Sequence, residues 1–122
     1  MDHKLTQSSP RYRLHSFIVN DGNIVAATAV VRLFVDGVEK EYVGRDENAV
    51  EAILRAIDKI VKLDVHMDSY RIDVHAQENG AISCHAQVKV RRGGRHYEGK
   101  SDGIDAIEAV IKAYLDALNQ CG

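Results

Sequence analysis

Tyr12–Gly22 reads YRLHSFIVNDG, and Tyr70–Gly80 reads YRIDVHAQENG. The triplet Tyr12-Arg13-Leu14 returns as Tyr70-Arg71-Ile72, and Asp21-Gly22 returns as Asn79-Gly80 at the same offset. Further along, Gly37 matches Gly94, Tyr42 matches Tyr97 and Gly44 matches Gly99, with the offset a few residues shorter. A recurrence of this length in one order means a duplicated supersecondary unit.

Each copy has readable elements. Residues 12–20 alternate in polarity, and Asp21-Gly22-Asn23 supplies the chemistry of a hairpin turn. A long second strand is expected over 24–35, because Val25, Ala27, Ala29, Val31, Leu33 and Val35 place an unbroken apolar set on one face. Its other face mixes Thr28 and Arg32 with Ile24, Val30 and Phe34, which suggests partial cover. Asp36-Gly37 turns the chain into a short third strand near 39–43, and a helix follows at about 48–62 with Val50, Ile53, Leu54, Ile57, Ile60 and Val61 on one stripe. The second copy repeats this order. Strands are expected at 70–77, 81–91 and 95–98, then a helix at about 104–119 whose stripe runs Ile104, Ile107, Val110, Ile111, Tyr114, Leu115, Leu118.

The expected fold is therefore α+β: an internally duplicated β-β-β-α unit, its sheet covered on one face by two helices. Residues 1–10 read as a disordered lead-in, 11–63 as the first repeat and 68–120 as the second, within one domain over 11–122. Two helices cover one face of six strands, so the other face calls for a second copy of the chain, and a homodimer is expected.

The bulk numbers agree with a globular domain: 122 residues, 45% apolar and 28% charged. No apolar run reaches the roughly 20 residues that span a bilayer, and the polar start MDHKLTQSSPRYR lacks a signal peptide's apolar core. A cytoplasmic protein without membrane contact is expected. A net charge of −2 offers no field for nucleic acid, and Arg91, Arg92 and Arg95 surround Gly93-Gly94 as a hairpin tip. Cys84 and Cys121 are too few for a disulfide framework and lack metal-site spacing.

Catalytic chemistry is not evident. None of His3, His15, His66, His75, His85 and His96 forms a metal-ligating pair, and no serine lies in a nucleophile elbow. His75 and His85 read as solvated strand residues. No metal, cofactor or catalytic residue is expected. Two loops leading into the two helices remain: Gly44-Arg45-Asp46-Glu47-Asn48-Ala49-Val50 and Gly99-Lys100-Ser101-Asp102-Gly103-Ile104-Asp105. A helix start offers free N–H groups and a positive dipole end to a carboxylate. Plain capping by Asn48, and by Asp102 or Ser101, accounts for the same residues.

At these loops the chain resembles the C-terminal regulatory (dimerisation) domain of 2-isopropylmalate synthases and citramalate synthases. The stretches that carry the likeness are Ala27-Thr28-Ala29-Val30-Val31-Arg32-Leu33, Val50-Glu51-Ala52 with Ala56-Ile57-Asp58-Lys59-Ile60, Tyr70-Arg71-Ile72-Asp73-Val74, and Gly99 followed by Asp105-Ala106-Ile107-Glu108-Ala109 and Ala113 to Asn119. The likeness covers residues 11–119. It implies an amino-acid sensor that partners a catalytic TIM-barrel region and binds an end product, leucine first and isoleucine next, for feedback inhibition. It places that effector at the dimer interface with its charged ends near the two loops. By motif, Asn48, Ala49 and Val50 form the first loop's contact. Met67 and Tyr70 stand for a Leu-x-x-Tyr pattern, and Val74 and Cys84 continue the apolar wall. Gly99, Ser101, Gly103, Ile104 and Asp105 form the second loop's contact. The family's Gly-x-Gly-Pro is here Asp46-Glu47-Asn48-Ala49, where Asn48 is able to adopt the left-handed turn of a glycine and Asp46 brings a carboxylate.

Two other readings compete. One is a structural dimerisation module whose pocket has decayed, for which the altered loop speaks. The other is a double-stranded-RNA-binding fold, which also runs β-β-β-α. That fold needs lysines at the last helix's start, and this helix offers Asp102, Asp105 and Glu108 against Lys100 and Lys112.

Overall fold

Alternation along the central strand of each repeat organises the structure, a computed structural model that describes residues 10–20 and 26–121. The elements are β1 (Tyr12–Asn20), β2 (Ala27–Val35), β3 (Val38–Asp46), α1 (Ala49–Val61), β4 (His66–Ala76), β5 (Ile82–Arg92), β6 (Arg95–Gly103) and α2 (Ala106–Cys121). The duplicated β-β-β-α order is the one the sequence implies. Residues 1–9 of the lead-in expected over 1–10, and the turn at Asp21-Gly22-Asn23 with Ile24 and Val25, lie outside the described residues.

The strands form two separate antiparallel sheets, β1-β2-β3 and β4-β5-β6, rather than one. In β2 the side chains of Ala27, Ala29, Val31 and Leu33 are buried, and in β5 those of Cys84, Ala86, Val88 and Val90. α1 covers β2 and β3, whereas α2 covers β5 and β6 and also reaches β1. The apolar stripe of α1 (Ile53, Leu54, Ile57) and that of α2 (Val110, Ile111, Leu118) fill the space beneath. Each such side chain contributes about 1.5–3 kcal/mol when fully removed from water. Tyr12 is buried too, and its backbone N–H and C=O are both bonded to the Asn119 amide, at 2.8 and 2.9 Å.

Both third strands are longer than expected: β3 runs over 38–46 instead of 39–43, and β6 over 95–103 instead of 95–98. β3 is mostly exposed, and neither strand carries an apolar alternation, so their polarity hides them. Pairing with the central strand carries them onward, to Ala27 opposite Asp46 and Cys84 opposite Gly103. Hence Gly44 to Asp46 and Gly99 to Gly103 are strand, not loop. Gly44 and Gly99 are where the helices touch the sheets: an added Cβ would lie 2.0 Å from the Ala52 carbonyl oxygen and 1.9 Å from that of Ala113.

The repeats superpose on a different step from the echo of Tyr12 in Tyr70. A bulge at His15, between Leu14 and Ser16, corresponds to one at Asp68, between Met67 and Ser69. Phe17 lies opposite Val31 and Tyr70 opposite Val88, so Phe17 is the structural counterpart of Tyr70, and Leu14 of Met67. Register follows the central strand and the bulge, not the matching residue types.

Candidate functional site

The two helix starts are capped by side chains. Asn48 is extended (φ −135°, ψ 171°), not left-handed, and its Oδ1 accepts from the Glu51 N–H at 2.9 Å. In the second repeat Asp105 caps, where Asp102 or Ser101 was expected. Its Oδ1 accepts from the N–H groups of Ile107 (2.9 Å) and Glu108 (3.4 Å), because α2 begins only at Ala106 and Asp102 is still strand. Each cap satisfies part of the N–H set at its helix start.

Asp46, the last residue of β3, turns its carboxylate two ways. Oδ1 accepts from the Glu47 N–H at 2.7 Å, and Oδ2 stands 3.8 Å from Arg55 Nη1. The other Arg55 nitrogen, Nη2, lies 3.4 Å from Asp58 Oδ2. Asp58 Oδ1 accepts from the Tyr114 hydroxyl at 2.6 Å, a bond between the helices of the two repeats. Burial, then the adjacent Asp58 carboxylate, pushes the Tyr114 hydroxyl far above its ordinary range, so it stays a donor.

Arg55, Asp58 and Tyr114 line a cleft of about 520 Å³ between α1 and the start of β4, shared with Glu51, Met67 and Tyr70. Partial burial, then Glu51, raises the Tyr70 hydroxyl. At the cleft's edge Arg91 holds the Asp68 carboxyl below the usual range. From Tyr70 the inner face of β4 continues through Ile72 to Val74, which lies opposite Cys84, itself opposite Gly103. Cys84 is buried, whereas Val74 is 60% exposed, Ile82 52% and Ile104 85%, an apolar patch at the far end of the second sheet.

The expected residues therefore fall into three places. Met67 and Tyr70 share the cleft with α1, whose start at Asn48-Ala49-Val50 runs directly into Glu51 and lies about a turn and a half or more before Arg55. Val74, Cys84 and Gly103 form one row, with Ile104 and the cap Asp105 next in the chain. Gly99 and Ser101 lie further back on β6, opposite Val88 and Ala86. Among the described residues no hydrogen bond joins 46–50 to 99–105. Sequence reasoning missed Glu51, Arg55 and Asp58 as site residues, although their i, i+4 and i, i+3 spacing already placed them on one polar helix face. Tyr114 was hidden in the apolar stripe. On the opposite face of the second sheet, His85 Nδ1 lies 2.6 Å from Asp102 and directly opposite Asp73. Among the described residues no group of three or more His, Cys, Asp or Glu side chains is placed to hold a metal, and no helix is long and apolar enough to cross a membrane.

A duplicated β-β-β-α scaffold with an inter-repeat cleft and an exposed apolar end has the form of a ligand-responsive association domain. Residues 1–121 match the LeuA allosteric (dimerisation) domain, and the chain belongs to that family. Among its relatives, the 2-isopropylmalate synthase of Carboxydothermus hydrogenoformans is 29% identical over 98% of this chain and 24% of its own length. That of Lysinibacillus sphaericus is 35% identical over 80% of this chain and 19% of its own, and that of Pyrococcus furiosus 30% over 96% and 23%. The chain thus spans less than a quarter of these relatives.

Proposed function

We propose that this chain is a non-catalytic, cytoplasmic allosteric domain that binds a branched-chain amino acid, leucine first and isoleucine next, and relays feedback inhibition to the catalytic region of a 2-isopropylmalate synthase. The observation that carries this reading is the inner face of β4. Met67 and Tyr70 line a cleft beside α1, and the same face runs on to the uncovered Val74. A branched aliphatic side chain needs such an apolar slot, and a zwitterion needs fixed charges and N–H donors beside it. On this reading Asn48, Ala49 and Val50 offer the donors, and Gly99 acts first as the close contact of β6 with α2.

A second copy of the chain would cover Val74, Ile82 and Ile104, so the dimer contact adjoins the site. Changing Val74 and Ile104 together to Asp should turn a dimer into a monomer in sedimentation equilibrium at tens of micromolar. A dimer that survives both changes places the contact elsewhere.

Ligand that binds only the folded state raises the melting temperature with its concentration. Leucine at millimolar concentration should therefore shift the melting curve, isoleucine less, and Val74→Ala should weaken leucine by about 1 kcal/mol of lost apolar contact. If leucine, isoleucine and valine all leave the curve unmoved, the sensor reading fails. The structural dimerisation module, for which the capped helix starts and the two carboxylates flanking Arg55 speak, then takes its place.

A further inference from the structure

Arginines elsewhere in the chain stand 2.5–3.3 Å from their carboxylates: Arg32 to Glu41 at 2.5 Å, Arg91 to Asp68 at 2.7 Å, Arg11 to Asp36 at 3.1 Å and Arg71 to Asp73 at 3.3 Å. Arg55, the guanidinium that lines the cleft, stands 3.4 and 3.8 Å from its two carboxylates. Charge-assisted bonds of this type close to about 2.7–2.9 Å, so Asp46 and Asp58 flank the fork without saturating its five donors. Met67 and Tyr70 supply apolar surface in the same cleft, and Glu51 supplies an anion one helical turn before Arg55.

We propose that Arg55 is the carboxylate-recognition group of this cleft and that Asp46 is its built-in competitor. The ligand is a free α-amino acid whose carboxylate takes the Arg55 fork from Asp46 while its ammonium pairs with Glu51. The proposal rests on the sensor reading above but differs from it in one respect: the carboxylate goes to a side chain of α1 rather than to the helix start. It also gives Asp46 a role. The Asp46 carboxylate, held by the Glu47 N–H at the end of β3, stands beside Arg55 in the empty site and gives it up when ligand arrives. Because Asp58 lies between Arg55 and Tyr114, the exchange is felt at the bond between repeats.

Calorimetric titration of the full chain with leucine and with leucinamide, whose neutral amide replaces the carboxylate, tests this. Wild type should prefer leucine. Asp46→Asn should bind leucine several-fold tighter. Arg55→Gln should lose about tenfold for leucine, as expected for a charge-assisted bond, and should no longer distinguish leucine from leucinamide. Arg55→Lys should recover part of the loss. A merely structural role for Arg55 would weaken both ligands alike and leave the preference standing. Arg55→Gln that keeps wild-type leucine affinity and preference overturns the assignment while leaving the sensor reading intact. Asp46→Asn that weakens binding makes Asp46 an ammonium partner and overturns the competitor. If wild type binds no branched-chain amino acid, the sensor reading falls and this proposal with it.

Discussion

The two sheets are built alike where helices lie on them and differently where they do not. Counted from the hairpins, Ala29, Val31 and Leu33 of β2 have Ala86, Val88 and Val90 as counterparts in β5, nearly the same set in the same places. On the opposite face one row is preserved in type, Ser16-Arg32-Glu41 against Ser69-Lys89-Glu98. The adjacent row is not: Ile18-Val30-Val43 in the first sheet stands where Arg71-Gln87-Lys100 stands in the second. A helix a few ångströms away dictates side-chain volume, so the inner faces vary little. The outer faces answer only to their own neighbours and to whatever docks there.

Even the shared inner face is not a strict copy. Gly44 lies opposite Ala29 and meets Ala52 and Ala56, whereas Gly99 lies opposite Val88, the counterpart of Val31, and meets Ala113 and Ala117. Counted from the caps Asn48 and Asp105, Ala113 is the counterpart of Ala56, so the contact has slid one helical turn. Two strand residues are about 6.8 Å and four helical residues about 6 Å, so strand and helix shifted together. Gly44→Ala and Gly99→Ala should therefore cost alike, about 3 kcal/mol or more each in urea unfolding, because the clash is with backbone and no rotamer relieves it. Gly80→Ala is the contrast. Its φ of +85° strains an alanine but nothing lies within 4 Å, and about 1 kcal/mol is expected. A Gly99→Ala cost below that of Gly80→Ala would remove the close-contact explanation.

One buried position brings a hydroxyl into the second helix. Tyr114 stands where the first repeat has Ile57, and its hydroxyl reaches Asp58 across the repeats. Tyr114→Phe keeps the ring and loses the bond, so about 1 kcal/mol of stability should go. Asp58→Asn retains an acceptor and should lose less. Equal losses from both changes would mean the charge of Asp58, not its acceptor, is what Tyr114 needs.

Much of this fold is legible in residue order. The unbroken odd-numbered apolar set from Ala27 to Leu33 and the stripe Ile53-Leu54-Ile57 each have a single geometric solution, and the doubling of the pattern reveals the repeat. Edge strands are not legible in this way: Gly44 to Asp46 and Gly99 to Gly103 pair through their backbones, which carry no side-chain signal, so β3 and β6 read too short. The bulges at His15 and Asp68 shift register without any composition cue, which let the echo of Tyr12 in Tyr70 mislead. Met67 and Tyr70 entered the candidate site through family resemblance. Arg55 and Asp46, nine positions apart across a strand end and a helix, meet only once the chain is folded.

The smallest expected effect is the sharpest test of the outer-face contrast. Ile18→Arg, Val30→Gln and Val43→Lys together would write the second sheet's row into the first. Ile18 is 70% exposed and Val43 47%, so little apolar burial is lost, and Arg13 over Phe34 at 4.9 Å already covers the row beyond Arg32 with its own chain. A change under about 1 kcal/mol is expected, as for surface positions generally. If the partner copy sits on Val74, Ile82 and Ile104, the triple variant should sediment as wild type does and keep the leucine-induced melting shift. Should it sediment as a monomer instead, the outer row is the two-fold contact. The second sheet's Arg71-Gln87-Lys100 is then the version of the same surface that does not associate, and the effector cleft lies away from the dimer axis.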